Sequence, residues 1–152
     1  MNKTDQLIRT KLHKSLTRQE FVSRPRLYEQ ITKGLRGPLT LITAPAGFGK
    51  TTLVASCIAN CGMPVAWLSL DKNDNHTGRF LAYLIAAIQE VDKTIGIEAV
   101  QRLSVSQEAL PETIVTSIIN DLDVAFGEII LVLDDYQFIS NQAVHEAVTF
   151  LV

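Results

Sequence analysis

Residues 39–52, Leu-Thr-Leu-Ile-Thr-Ala-Pro-Ala-Gly-Phe-Gly-Lys-Thr-Thr, decide the fold because an apolar run leads directly into a glycine-rich loop. The run 39–43 predicts a buried strand. Residues 44–51 match the phosphate-binding pattern G-x-x-x-x-G-K-[ST] except at the first position, where Ala44 replaces glycine. The apolar residues after the loop predict a helix whose first N–H groups would face an anion. This order of strand, loop and helix predicts a nucleotide ligand.

Each defined residue of such a loop has a chemical role. Glycines at 47 and 49 let the backbone curve around phosphates, the Lys50 ammonium reaches the β- and γ-phosphate oxygens, and the Thr51 hydroxyl binds Mg²⁺. The alternative is a structural glycine turn without a ligand, which the two flanking elements disfavour. The predicted nucleotide-binding residues are Ala44, Pro45, Ala46, Gly47, Phe48, Gly49, Lys50, Thr51 and Thr52.

A second apolar run, residues 129–133, ends in two acids, Asp134 and Asp135. Ligands of open α/β sheets collect at the carboxyl ends of the strands, and Mg²⁺ prefers carboxylate and water ligands. We therefore expect Thr51 and Asp134 to bind the metal and Asp135 to orient or deprotonate water. Lys50 and Asp135 are then the candidate catalytic residues. The alternative is that the two acids only cap a turn.

Composition favours one soluble α/β domain. The chain has 152 residues, of which 47% are apolar and 20% charged. The amino-terminal residues lack the apolar stretch of a signal peptide and no segment is apolar enough to span a membrane, so we expect a cytoplasmic protein. Cys57 and Cys61 are four residues apart, with no other cysteine or histidine spaced to complete a zinc site. Reduced thiols are the favoured interpretation.

Charge is divided unevenly along the chain. Residues 1–36 hold nine basic and three acidic residues, a net charge of +6, whereas the remainder holds five basic and thirteen acidic residues, a net charge of −8. A basic arm could bind nucleic acid, but it has no interleaved aromatic residues and no helix-turn-helix pattern. A solvated or nucleotide-facing arm is therefore the preferred interpretation.

Apolar periodicity and turn residues predict the remaining elements. Helices are expected at residues 26–35, from the loop to about 60, at about 80–91, at about 111–126 and at about 141–151, and a further strand at 65–70. Residues 92–110 show no clear pattern. Strand, loop, helix and strand would form one βαβ unit with parallel strands and a right-handed crossover.

Several of these segments together resemble the N-terminal nucleotide-binding domain of the large ATP-binding LuxR-type transcriptional regulators, the MalT-like proteins of the STAND class of P-loop ATPases. The matching segments are residues 10–12, 21–27, 41–53, 65–71, 79–84 and 131–136. The resemblance makes alanine ordinary at position 44. It also implies that Val22 and Arg24 line the adenine side of the nucleotide. Ser15 and Gln137 depart from the family pattern.

The resemblance implies an incomplete P-loop NTPase fold. We expect a three-layer α/β sandwich with a mainly parallel sheet of about three core strands and flanking helices. Residues 1–36 would form the basic arm and a helix that contributes to the nucleotide site, and residues 37–152 a partial P-loop NTPase domain. Without later strands, the strand at 39–43 would present an open edge, a hazard for association.

The implied function is ATP binding with Mg²⁺ as the nucleotide switch of a LuxR-type regulator, present as a truncated N-terminal fragment that lacks the DNA-binding domain. Slow hydrolysis of ATP is left open, as is the choice between ATP and ADP as the resident ligand. One alternative is a free-standing P-loop ATPase or small-molecule kinase. Another is a remnant that acts only by self-association or by association with a full-length relative.

Overall fold

The computed structural model of the chain describes residues 7–13, 24–105, 110–125 and 128–152. By their contacts these residues divide into two compact units. The sheet unit comprises residues 7–13 and Pro64–Leu151. The loop unit comprises residues 24–63, with which Val152 is grouped. No helix in the described ranges is long and apolar enough to cross a bilayer.

The loop unit contains two packed helices, α1 (Pro25–Gly34) and α2 (Lys50–Ile58). Proline suits the first position of α1, because an N–H group there would have no acceptor within the helix. Ile31 of α1 is buried against Leu53 and Cys57 of α2. Both helices were predicted from the sequence and are confirmed.

The predicted strand at residues 39–43 is wrong. These residues have no regular secondary structure, and Leu39 and Leu41 are 65% and 77% exposed. A buried parallel strand needs a neighbour for its N–H and C=O groups and cover on both faces, and apolar composition alone supplies neither. The predicted βαβ unit that begins with this strand is therefore not formed.

The sheet unit contains two parallel strands, β1 (Val65–Ser69) and β2 (Ile130–Asp134). Their register pairs Val65 with Ile130 at one end and Ser69 with Asp134 at the other. The α/β class and the parallel pairing are confirmed, but the sheet in the described part of the chain has two strands rather than about three. The carboxyl ends of both strands lie at the same edge.

The described part of the sheet unit also contains four helices: α3 (Thr77–Gln89), α4 (Ile97–Val105), α5 (Pro111–Ala125) and α6 (Gln142–Leu151). Helix α3 packs on β1 and contacts the other three helices. It is the most buried helix, since its large apolar side chains recur at helical spacing on a broad face. The fully buried core includes Phe80, Tyr83, Leu84, Ile114, Ile118 and Val144. Helices α3, α5 and α6 were predicted, whereas α4 was not.

A 3-10 helix, Arg9–Leu12, packs against β1 and α3. Within it, Arg9 is exposed but Lys11 and Leu12 are buried. The expectation of a solvated or nucleotide-facing basic arm is therefore wrong for Lys11.

Candidate functional site

The loop after residue 43 adopts a backbone that requires glycine at two positions. Gly47 and Gly49 have φ angles of +81° and +78°, in the left-handed region. A Cβ atom at either position would meet nothing within 4 Å, so the backbone conformation and not crowding selects glycine. The N–H of Phe48 donates to the Pro45 carbonyl at 3.4 Å, which closes the turn between them. Both glycines of the predicted phosphate loop thus turn the chain tightly.

Lys50 is the first residue of α2, and its side chain folds back over the loop. Its Nζ donates to the carbonyl oxygens of Ala44 at 2.7 Å and Pro45 at 3.3 Å. An ammonium group has three donors, so it can retain a loop carbonyl while it binds a phosphate oxygen. Gly49 caps the helix without a side chain, and its carbonyl accepts the first helical hydrogen bond from Leu53 at 2.9 Å.

Helix α2 is held in place by α1. The Tyr28 hydroxyl donates to the Ser56 carbonyl at 2.8 Å, next to the apolar contacts of Ile31 with α2. Burial raises the pKa of the Cys57 thiol, which therefore stays protonated and unreactive at neutral pH. Cys57 and Cys61 are both free thiols. Thr51 and Thr52 are half-buried in the first turn of this anchored helix.

The predicted acids lie in the sheet unit, at the carboxyl end of β2. Asp134 ends the strand, and Asp135 has φ +58° and ψ +33°, which makes it the one non-glycine residue with positive φ in the described part of the chain. The N–H of Asp135 donates to Asp134 Oδ1 at 3.1 Å. Gln137 Nε2 donates to Asp135 Oδ1 at 2.8 Å. A left-handed non-glycine residue stores strain of about 1 kcal/mol, a feature that clusters at functional sites.

At the same edge, the sheet unit holds a charged cluster that the sequence reasoning missed. Asp74 is fully buried and accepts hydrogen bonds from Lys11 Nζ and, at 3.2 Å, from Arg79 Nε. Lys11 also binds Asp71 Oδ2 at 3.0 Å and lies 4.5 Å from the centroid of the Tyr83 ring. Two cations balance two carboxylates. We call Lys11, Asp71, Asp74, Arg79 and Tyr83 the charged cluster.

Hydrogen bonds determine the ionisation of Asp71 in the charged cluster. Burial favours the neutral acid, but the hydrogen bonds from Lys11 and from the Asn73 backbone, with the charges of Lys11 and Arg79, outweigh burial and lower the pKa of Asp71. The signal that could have revealed this cluster is the spacing Asp71-x-x-Asp74 directly after a buried strand, which is typical of a capped turn. Nothing in the sequence indicates that its cationic partner is Lys11, 60 residues earlier.

The structure brings the predicted site residues together in two groups. Residues 44–52 form the loop and the start of α2 in the loop unit, while Asp134 and Asp135 lie in the sheet unit. Arg24, predicted to line the base, is exposed and directly precedes α1. Val22 lies outside the described residues. In the described part of the chain, no group of three or more His, Cys, Asp or Glu side chains could hold a metal ion.

Comparison with known proteins identifies close sequence relatives. No protein-family model matches the chain. The HTH-type transcriptional regulator MalT of Yersinia pestis (strain Pestoides F) is 37% identical over 146 residues, and MalT of Yersinia enterocolitica (serotype O:8) is 37% identical over 149 residues. Each match covers 96% of this chain and 16% of the relative. The chain thus spans about one sixth of the length of the curated relatives that it matches.

The match extends well beyond the short motifs from which the family resemblance was inferred. A match over 96% of the chain includes the glycine-rich loop, both strands and the acidic pair, so it does not depend on one short motif. The resemblance indicated by the sequence segments is confirmed: the chain is homologous to a segment of the MalT-type HTH transcriptional regulators.

Proposed function

We propose that residues 44–52 bind the phosphates of ATP. The observation that carries the proposal is the combination of Gly47 and Gly49 in the left-handed region with the Lys50 ammonium held over the loop, at the start of α2. A curved backbone that presents its N–H groups, a helix N-terminus and a lysine ammonium are features that bind a polyphosphate. The loop is exposed, so a ligand can reach it.

The proposal assigns Mg²⁺ to Thr51 and Asp134. A hydroxyl and a single carboxylate are oxygen ligands of the kind that Mg²⁺ accepts beside phosphate oxygens and water. When bound, the ion neutralises charge on the β- and γ-phosphates. Asp135 would orient a water molecule, and its carboxylate is already oriented by Gln137. Val22 and Arg24 are assigned to the base side of the nucleotide.

We further propose that this segment is the nucleotide-binding part of a transcriptional regulator. The relatives that it matches are HTH-type transcriptional regulators, of which it spans 16%. In such a protein, ATP binding switches the regulator from a resting to an assembly-competent state. Slow hydrolysis of ATP returns the regulator to the resting state. The ligand of the loop is ATP or ADP. Which of the two is bound controls self-association or association with a full-length relative.

Calorimetric titration of ATP tests the assignment of the loop. We expect Lys50→Ala to weaken ATP binding by about 10- to 150-fold, because a charge-assisted hydrogen bond to phosphate contributes about 1.5–3 kcal/mol. The matched control is Lys33→Ala, which removes an exposed ammonium of the same unit, one that pairs with exposed Glu29 at 2.8 Å. Equal ATP affinity in the Lys50→Ala variant and the control would contradict the proposal.

A further inference from the structure

We propose that Lys11 and Asn75 are positioning residues for the acidic turn, residues 134–137. A continuous series of hydrogen bonds within the sheet unit runs from the amino-terminal segment 7–13 through residues 71–75 to the residues that follow this turn. The series has three steps, each carried by side chains that are buried or half-buried. Its effect on metal and nucleotide binding rests on the proposed function, whereas its effect on the backbone does not.

The first step attaches the amino-terminal segment to the end of β1. Lys11 is 8% exposed and donates to Asp71 and Asp74, while the N–H of Ile8 donates to the Tyr83 hydroxyl at 3.1 Å. A buried ammonium needs such partners, because an unpaired buried charge is strongly unfavourable. The position of residues 71–74 is therefore coupled to the presence of the Lys11 charge.

In the second step, the same two carboxylates shape the 3-10 helix Lys72–Asn75. Asp71 Oδ1 accepts from the N–H of Asn73 at 2.7 Å, and Asp74 Oδ2 accepts from the N–H of Asp71 at 2.8 Å. This reciprocal arrangement is a capping box. The carboxylate oxygens that hold Lys11 thus also determine the backbone conformation that presents Asn75.

In the third step, Asn75 holds the segment that follows the acidic turn. Its Nδ2 donates to the Phe138 carbonyl at 2.8 Å, and its Oδ1 accepts from the N–H groups of Ser140 at 2.7 Å and Asn141 at 2.9 Å. Asn141 Nδ2 returns a hydrogen bond to the Asn75 carbonyl at 2.6 Å. One amide side chain therefore holds backbone groups of Phe138, Ser140 and Asn141, just after the acidic turn.

The acidic turn lies between two anchored ends. On one side Asp134 belongs to β2, and its carbonyl accepts from the N–H of Leu70 at 3.0 Å. On the other side the N–H of Phe138 donates to the Asp135 carbonyl at 3.1 Å, and Phe138 is held by Asn75. The left-handed conformation of Asp135 persists only where both ends constrain it. Loosening the Asn75 end should release the turn.

Hydrogen exchange on the full chain, without nucleotide, tests the coupling. We expect Lys11→Met to speed amide exchange at least about 10-fold at residues 71–76 and also at 136–141, while α4 and α5 exchange as in the wild type. The control is Arg102→Met, which breaks an exposed pair with Glu98 at 2.6 Å on α4. Faster exchange confined to residues 7–13 and 71–79, or a uniform increase along the chain, would overturn the proposal.

A second variant keeps the test decisive if Lys11→Met does not fold. Asn75→Ala removes the third step without leaving a buried charge unpaired, because the asparagine amide is neutral. It should speed exchange at residues 136–141 and leave residues 7–13 protected. Unchanged exchange at 136–141 in this variant would refute the role of Asn75, and with it the path from Lys11.

Dependence on Mg²⁺ separates positioning from a general loss of stability. In calorimetric titrations of ATP, Asn75→Ala should lower the affinity gained on adding Mg²⁺ by about fivefold and leave the Mg²⁺-free affinity as in the wild type. Equal losses with and without Mg²⁺ would contradict positioning of the acidic turn. If the wild-type chain binds no ATP, the proposed function fails, and the exchange experiment alone decides the coupling.

Discussion

Lys11 shows how one buried side chain can contradict a prediction made from charge counts. Residues 1–36 carry a net charge of +6, which is typical of a solvated face. Lys11 is nevertheless buried against two carboxylates and the face of Tyr83. Removing one member of a buried ion pair costs about 3–5 kcal/mol, because the other charge remains buried. The cluster is therefore a sensitive point of the sheet unit.

The lowered pKa of Asp71 predicts an acid-dependent loss of stability. A carboxyl whose pKa is lower in the folded than in the unfolded state stabilises the fold above the unfolded pKa, about 3.9, and this contribution is lost as pH falls through the folded value. Loss of Lys11 would remove two of the interactions that lower this pKa, the Lys11 hydrogen bond and the Lys11 charge. We expect the free energy of unfolding to fall less steeply below about pH 4 in Lys11→Met than in the wild type.

Urea unfolding between pH 7 and pH 2.5 measures this difference. At pH 7 the Lys11→Met variant should be less stable by about 3 kcal/mol. The control is Lys33→Met, in which only a pair of exposed side chains is lost; a change below about 0.5 kcal/mol and an unaltered pH dependence are expected. Parallel pH profiles for wild type and Lys11→Met would show that Lys11 does not set the ionisation of Asp71.

At the scale of elements, the junction before α4 explains why this helix could not be predicted. Its apolar residues Ile97, Val100 and Val105 are 44–87% exposed, so its pattern does not mark a buried face. The helix is instead placed by Gly96, which has φ +73° and whose N–H donates to Asp121 Oδ2 of α5 at 2.8 Å. A tertiary hydrogen bond, not periodicity, determines where α4 begins.

Gly96 therefore provides a test of this junction. A Cβ atom there would lie 2.8 Å from Ile85 Cγ2, and the left-handed backbone disfavours any L side chain. We expect Gly96→Ala to lower the free energy of unfolding by about 2 kcal/mol, from strain and overpacking together.

The matched control is Gly78→Ala within α3, where a Cβ atom would meet nothing within 4 Å. This substitution should stabilise the chain by about 0.5–1 kcal/mol, because alanine is the better helix former. Midpoints of urea unfolding compare the two variants. A Gly96→Ala variant as stable as the wild type would show that the junction can relax.

Residues 39–43 show the opposite error, since here an element was predicted that does not form. Their apolar run predicts a strand, yet Leu39 and Leu41 are largely exposed and no strand forms. By contrast β1 and β2 were predicted and do form, because each finds the other as its parallel neighbour. The same kind of pattern thus gives different outcomes, since pairing partners are not encoded in the run itself.

At the scale of the whole molecule, ligand binding should appear as stability. A ligand that binds only the folded chain stabilises it by about 2.7 kcal/mol at a concentration 100 times its Kd. Thermal unfolding with ATP and Mg²⁺ should therefore shift to higher temperature in the wild type and in Lys33→Ala. The Lys50→Ala variant should show a much smaller shift at the same ATP concentration. An equal shift in Lys50→Ala would place the nucleotide elsewhere than at the loop.

Local sequence patterns were enough to predict a candidate phosphate loop and the helices with strong periodicity. Gly47, Gly49 and Lys50 are recognisable because a phosphate loop needs these residue types at fixed spacing. Three features became evident from the fold alone: Lys11 contacts Asp71 and Asp74, Asn75 holds Phe138, Ser140 and Asn141, and residues 39–43 form no strand. The reason is physical: local patterns specify backbone preference, whereas burial and pairing depend on partners far along the chain.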